Sequence, residues 1–219
     1  MGIKSPLGIY EALLSRYGPQ GWWPIQNNFK PPEWEICVGA ILTQNTSWNN
    51  VEKALDNLKN NNCVSVRDIL DTRRSELERL LKPSGFFRQK SKTLKLLAKL
   101  VNTFNSFEDF KRNVTRGALL KLNGIGPETA DSILLYACGK PSFVVDAYTR
   151  RIFHRLGLVG HDAGYEKIRD YLESNLPKDA SLYNEFHALI VRLGKEACRK
   201  SPLCMKCPLE DVCEKRGFP

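Results

Sequence analysis

Apolar residues recur at three- and four-residue intervals along almost the whole chain, and this spacing constrains the fold more than any other feature. In the stretch KSKTLKLLAKLVNTF, the apolar side chains from Leu94 to Phe104 fall on one face of a helix. No alternating strand pattern extends beyond a few residues. The spacing predicts helices over residues 6–17, 34–45, 48–60, 73–81, 87–104, 115–121, 127–138, 146–157, 163–174 and 181–196. We therefore expect an all-α protein.

The charge and hydropathy of the chain favour a polyanionic partner and exclude a membrane span. The 219 residues carry a formal net charge of +9, which suits nucleic acid but is also compatible with an ordinary basic surface. No run of about 18 apolar residues is present, and the first residues lack the apolar core of a signal peptide. We expect a cytoplasmic protein, associated with the nucleoid, that makes no contact with a membrane.

The cysteines are unevenly distributed, because four of the seven lie within 16 residues near the end of the chain. These four are Cys198, Cys204, Cys207 and Cys213. An odd total without a secretion signal argues against a disulfide framework, and the clustering argues for a metal centre. The compact spacing, with a single Cys-x-x-Cys pair, favours a [4Fe–4S] cluster, and zinc is the alternative.

A glycine-containing turn separates two helical stretches in LNGIGPETADSIL, residues 122–134. Gly124 and Gly126 bring the chain to a tight hairpin, and Pro127 suits the first turn of the helix that follows. The backbone N–H groups at such a helix start favour a phosphate, which would make this segment a DNA-binding helix–hairpin–helix. An ordinary turn between two helices is the alternative interpretation.

An acidic residue, Asp146, begins the next predicted helix in the segment VVDAYTRR. Its local structural role is that of an N-cap, which stabilises a helix by about 1 kcal/mol. Its functional role would be a carboxylate that stabilises a sugar becoming positively charged as a glycosidic bond breaks. The segment alone does not distinguish these two roles.

Aromatic residues are concentrated in the segment Gly21-Trp22-Trp23-Pro24 and recur at Trp48. Tryptophan is usually buried, but two consecutive tryptophans cannot share one face, so one of them is free to stack on a base. Gln44, in the segment ILTQNT, either ends an apolar helix or fills the gap that an extruded base leaves in DNA.

Together these motifs resemble the helix–hairpin–helix superfamily of DNA glycosylases that includes endonuclease III. The motifs that carry the resemblance occur in the family's order, from about residue 8 to 213, and they are LTQNT, PSGFFRQKSK, LNGIGPETA, VVDAYTRRI and the cysteine cluster. The resemblance implies two helical lobes and a monomer that binds double-stranded DNA containing a damaged base. One lobe would be continuous, over 25–135; the other would join 1–24 to 136–219 and hold the cluster at 198–213.

The resemblance also implies roles for individual residues. Asp146 would be the catalytic aspartate, Gln44 the residue that wedges into DNA, and the four clustered cysteines the [4Fe–4S] ligands. The residues that would bind DNA beside Gln44 are Leu122, Gly124, Gly126 and Thr129.

Glu128 departs from the family pattern. Bifunctional members place a lysine there, whose amine attacks the sugar and forms a Schiff base. A carboxylate cannot form that adduct, so we expect a monofunctional glycosylase that hydrolyses the N-glycosidic bond. Strand cleavage would require another amine, such as Lys90 or Lys121. An acid in a first helical turn is also stabilised by the helix dipole without any catalytic role.

The aromatic motifs are most similar to those of bacterial 3-methyladenine DNA glycosylases of the endonuclease III type. The implied base pocket consists of Trp22, Trp23, Pro24, Trp48 and Glu128, and its aromatic faces suit a positively charged alkylated purine. Three alternatives stay open: a bifunctional enzyme for oxidised pyrimidines, a glycosylase for thymine or uracil mismatches, and a non-enzymatic module that binds DNA structures.

Overall fold

The structure is a computed structural model that describes residues 4–23, 25 and 28–217. This part of the chain forms twelve α-helices and no strand, so the expected all-α fold is confirmed. The helices are α1 (Pro6–Tyr17), α2 (Pro32–Leu42), α3 (Trp48–Asn60), α4 (Val66–Asp71), α5 (Arg74–Leu81), α6 (Phe87–Val101), α7 (Phe107–Asn113), α8 (Arg116–Leu120), α9 (Pro127–Ser132), α10 (Ala147–Arg155), α11 (Tyr165–Ser174) and α12 (Ala180–Glu196). A π-helical turn, Ile133–Ala137, continues α9. None of the helices in the described residues is both long enough and apolar enough to cross a bilayer.

Side-chain oxygens define where many of these helices begin. Ser65 and Asp68 form a reciprocal capping box at α4, and the Ser106 hydroxyl accepts from the Asp109 backbone N–H at α7. Each such cap satisfies a backbone donor that the helix itself leaves unpaired. Both helices are absent from the predictions made on apolar spacing.

The helix predicted over 34–45 ends earlier than expected. In the structure α2 spans Pro32–Leu42, and the Thr43 hydroxyl donates to the Gly39 carbonyl at 2.6 Å. Asn45 has φ 51°, in the left-handed region that asparagine tolerates better than most residues. Gln44 therefore lies in a turn after α2.

The described chain divides into two compact units. The central unit, Trp23–Gly139, contains α2 to α9 and the π-helical turn. Its middle is α2, which is buried from Trp34 to Leu42 and packs against α3, α6 and the π-helical turn. A helix that is apolar on all sides is expected at such a central position.

The terminal unit joins Met1–Trp22 to Lys140–Pro219 and contains α1 and α10 to α12. Helix α12 packs against both α1 and α10. Phe186 lies at the centre of this core, with edge-on ring contacts to Tyr10, Phe143 and Phe153. These contacts fix the position of α12 beneath the N-terminus of α10, where Asp146 lies.

Candidate functional site

The hairpin between α8 and α9 requires glycine at its tightest point. Gly124 has φ 92°, and a Cβ atom there would lie 2.0 Å from the Thr93 hydroxyl oxygen. That hydroxyl donates to the Asn123 carbonyl at 3.0 Å and so holds the hairpin on α6. Gly126 is exposed and immediately precedes α9. The hairpin therefore presents backbone at a helix start, as phosphate binding requires.

Gln44 contacts this hairpin through its side-chain amide. Its Nε2 donates to the Gly124 carbonyl at 3.0 Å and to the Thr129 hydroxyl at 2.8 Å. Thr129 is buried, so its side chain serves this internal bond. The structure thus brings together three of the residues assigned to DNA binding. Leu122 is half-buried at the start of the hairpin, where its carbonyl accepts from the Ile125 N–H at 3.0 Å.

A buried lysine supports the turn that carries Gln44. The Lys90 Nζ donates to the Leu42 carbonyl at 2.9 Å and to the Ser84 carbonyl at 2.7 Å. Burial lowers the pKa of this ammonium to about 8. Because Lys90 is buried and its amine donates to two backbone carbonyls, this amine has a structural role. Lys121, in contrast, is exposed.

The aromatic residues of the central unit form a compact group around Trp23. The Trp23 ring lies 5.3 Å from that of Trp48, at 74°, and 5.4 Å from that of Tyr136, at 53°. A Cβ atom on Gly39 would lie 2.9 Å from Trp23 Cζ2, so the indole packs directly on the backbone of α2. Trp48 Nε1 donates to Glu52 at 2.9 Å.

Trp22 and Pro24 are two further residues of the predicted pocket. Trp22 is half-buried and belongs to the terminal unit, and Pro24 lies outside the described residues. Tyr136, which sequence reasoning missed, lies in the π-helical turn, within an apolar run that indicates only a buried helix.

Glu128 is the second residue of α9 and is exposed. Its backbone carbonyl accepts from the Ser132 hydroxyl at 2.7 Å. The side chain thus lies in the first helical turn, where the helix dipole favours a negative charge.

Asp146 is the N-cap of α10, and its carboxylate is largely enclosed, with a side chain 15% exposed. Oδ1 accepts from the Thr149 backbone N–H at 2.8 Å and from the Thr149 hydroxyl at 2.9 Å. Oδ2 lies 3.7 Å from His187 Nε2. Thr149 therefore orients Oδ1 through two hydrogen bonds, and the imidazole of His187 is the titratable group near Oδ2.

The four clustered cysteines line one pocket of the terminal unit. Burial raises the pKa of the Cys207 thiol to about 11, and the charges of the other three thiols act in the same direction. Across the described residues, no three or more His, Cys, Asp or Glu side chains are grouped as around a single metal ion. The sulfurs thus border a common space without converging on one point.

Helix α10 supports this cysteine pocket with buried positive charge. The Arg155 guanidinium donates to Cys198 Sγ at 3.4 Å and to the Arg199 carbonyl at 2.6 Å, and Lys215 also lines the pocket. Cationic donors beside thiolates suit an anionic iron–sulfur cluster. The donor set, which is all sulfur, fits the same group.

A family model described as "HhH-GPD superfamily base excision DNA repair protein" matches residues 38–178, well over half of the chain. The chain belongs to this superfamily. The match confirms the resemblance predicted from the order of the motifs. The HhH-GPD protein described here is accordingly a DNA glycosylase, an enzyme that acts on N-glycosyl bonds.

Three relatives show how widely the similarity extends. A Methanocaldococcus jannaschii protein classed with the DNA repair glycosylases is 46% identical over 211 residues, 94% of each chain. The endonuclease III of Thermotoga maritima is 28% identical over 192 residues, 86% of each chain. The solved structure of H. pylori 3-methyladenine DNA glycosylase bound to 1,N6-ethenoadenine is 34% identical. The two structures superpose with a TM-score of 0.77. The superposition covers 88% of the present chain and 98% of the H. pylori chain.

Proposed function

We propose that this glycosylase is monofunctional: it hydrolyses the bond between a damaged base and its sugar and leaves the strand intact. The observation that carries the proposal is the carboxylate of Glu128 at the start of α9, where bifunctional members of the family have an amine. A carboxylate cannot form a Schiff base. Lys90 does not replace that amine, because its Nζ is buried and donates to two carbonyls.

Asp146 supplies the charge that this hydrolysis needs. As the glycosidic bond breaks, positive charge develops on the sugar, and an ionised carboxylate in an enclosed site stabilises it. The two hydrogen bonds from Thr149 fix the orientation of this carboxylate before the substrate arrives. The same carboxylate orients the attacking water.

The aromatic group around Trp23 supports an alkylated purine, such as 3-methyladenine, as the substrate. Such a base carries positive charge, and the faces of Trp23, Trp48 and Tyr136 attract a cation as well as stacking on a flat ring. The H. pylori relative, at 34% identity, was solved with the modified purine 1,N6-ethenoadenine. The resemblance also assigns Trp22, Pro24 and Glu128 to the base pocket, which stays an expectation from the sequence.

DNA is held by the hairpin and by the turn after α2. The backbone of Gly124 and Gly126 binds phosphate without reading the base sequence, with Leu122 and Thr129 shaping the hairpin. On binding, the Gln44 side chain would break its hydrogen bonds to Gly124 and Thr129 and fill the gap left in the duplex by the extruded base. Phe86 is 69% exposed at φ 45°, and an aromatic ring held in solvent by a strained backbone suits insertion into the same duplex.

A [4Fe–4S] cluster held by Cys198, Cys204, Cys207 and Cys213 is supported by the shared pocket and by Arg155 beside it. When bound, such a cluster would cross-link the loop that follows α12. The chain itself contributes the thiolates and the cationic surroundings. Zinc is the second candidate for these ligands.

A bifunctional enzyme for oxidised pyrimidines is the second candidate function. The observation that favours it is the exposed Lys121, which lies just before the hairpin in the chain. Its amine is accessible, whereas that of Lys90 is enclosed.

A panel of duplexes tests the proposed substrate. Each would carry one lesion: 3-methyladenine, 1,N6-ethenoadenine, hypoxanthine, thymine glycol, uracil or a T·G mismatch. We expect release of free base from the alkylated adenines at least about ten times faster than from the pyrimidine lesions. Preferential release of thymine glycol would instead indicate an enzyme for oxidised pyrimidines. Release of thymine or uracil would indicate a mismatch glycosylase.

A further inference from the structure

His187 is a buried histidine of α12 that no motif in the sequence singled out. Its side chain is 9% exposed, and its Nε2 lies 3.7 Å from Asp146 Oδ2. The neighbouring Phe186 anchors this part of α12 through ring contacts with Tyr10 and Phe143. The imidazole is thus held against the carboxylate by a rigid aromatic core.

The two oxygens of Asp146 have different neighbours. Thr149 provides both of its hydrogen bonds to Oδ1, from within the first turn of α10. His187 faces Oδ2 from a different helix, more than 30 residues further along the chain. An N-cap needs only the oxygen that accepts from the helix backbone. The proximity of His187 to Oδ2 is therefore not needed to cap α10.

We propose that His187 is a positioning residue for base release, whose Nε2 fixes the orientation of the Asp146 carboxylate through Oδ2. This inference rests on the proposed function, because it assumes that Asp146 acts in the reaction. The neutral ring orients the carboxylate without cancelling its charge. A protonated ring would form an ion pair with Asp146 and weaken its stabilisation of a cationic sugar.

The surroundings of His187 keep the ring neutral near pH 7. Burial lowers its pKa below the ordinary 6.5, and the negative charge of Asp146 opposes that change only in part. The charged group of α10 that faces the ring is Asp146, and Tyr10 of α1 lies against the neighbouring Phe186. We therefore expect the rate of base release to fall only on the acid side of the ordinary histidine pKa of 6.5, where the ring takes up a proton.

Three variants test this role in the full-length protein. His187→Phe removes the nitrogen; His187→Gln places an amide where Nε2 lies, and His187→Asn places one where Nδ1 lies. We expect the single-turnover rate of base release to fall about 10- to 100-fold in the Phe and Asn variants. The His187→Gln variant should release base at a rate within about threefold of the wild type, and this rate should no longer fall at acidic pH. The affinity for DNA should change less than about twofold in all three variants.

The matched control is His154→Gln, since His154 is a half-buried histidine of the same unit. This control should keep the wild-type rate and the wild-type pH profile. Wild-type rates in His187→Phe, or equal losses in the Gln and Asn variants, would overturn the proposed positioning role. Should the Phe variant fail to fold, the comparison of Gln with Asn decides the question, because both are polar amides.

The outcome also separates this inference from the function on which it rests. An inactive Asp146→Asn variant beside a fully active His187→Phe variant would contradict only the role of His187. An Asp146→Asn variant that releases base at the wild-type rate would overturn the proposed function and this inference with it.

Discussion

The starts of α9 and α10 each carry one carboxylate, and the protein surrounds the two differently. Glu128 is exposed in the first turn of α9. Asp146 is enclosed, with Thr149 at one oxygen and His187 near the other. The helix dipole favours an acid at either position. The difference teaches that burial, and not the position in the helix, distinguishes the acid proposed for catalysis from the exposed one.

Replacing Asp146 should have the largest effect. Asn caps a helix about as well as Asp, so Asp146→Asn should leave the melting temperature within about 2 °C of the wild type. Base release should fall at least about 100-fold, because the amide carries no charge to stabilise the sugar. Single-turnover assays beside thermal melts would check both results. If Asp146→Asn releases base at the wild-type rate, Asp146 has no greater role in the reaction than Glu128.

The cysteine pocket supports the opposite end of α10 from Asp146, through Arg155. Cys207→Ala should abolish the broad visible absorbance of an iron–sulfur protein and lower the melting temperature by several degrees, because metal binding contributes to folding. Cys63→Ser is the control, since Cys63 Sγ already lies 3.3 Å from the Thr72 hydroxyl and a serine keeps that contact. If the wild-type protein is colourless and contains zinc, the bound group is zinc and not an iron–sulfur cluster.

Gly39 tests the base pocket within the central unit. Gly39→Ala adds a methyl group 2.9 Å from Trp23 Cζ2, so the indole must move. Overpacking of this kind costs about 1 to 3 kcal/mol, and we expect release of an alkylated purine to slow about tenfold. Gly117→Ala is the matched control, because no atom lies within 4 Å of a Cβ added there. Equal rates in the two variants would argue against Trp23 as a pocket wall.

Glu128→Gln should have the smallest effect, and it is the direct counterpart of Asp146→Asn. The loss of one acid from a first helical turn costs about 0.3 to 1 kcal/mol. Base release should stay within about threefold of the wild type, measured under the conditions used for Asp146→Asn. A loss approaching that of the aspartate variant would assign Glu128 a catalytic role and contradict the comparison.

Sequence spacing was sufficient for the fold class and for the longer helices. Helices α1 and α3 have the predicted bounds, because each carries enough apolar residues to show the period. Helices α4 and α7 were not predicted from apolar spacing, although Ser65 and Ser106 are capping signals that could have indicated them. The resemblance to DNA glycosylases came from the order of several motifs, which the family match confirms.

The contacts between the site residues could not be predicted from the spacing of apolar residues. Trp23 packs on Gly39 and Tyr136, and His187 lies beside Asp146, between segments far apart in the chain. No local pattern encodes such pairs, because they depend on how the helices pack. The assignments of Asp146, Gln44 and the cysteines stay predictions that the experiments above address.

The central claim is that this enzyme removes a base without cutting the strand. One assay tests it directly: a duplex with 3-methyladenine is incubated with wild-type protein, and each sample is split and analysed with and without alkali, and with borohydride. We predict complete base release, strand breaks only after alkali and no trapped protein–DNA adduct. Alkali-independent breaks together with a trapped adduct would show that an amine, with Lys121 the first to test, acts as a nucleophile, and would contradict the account.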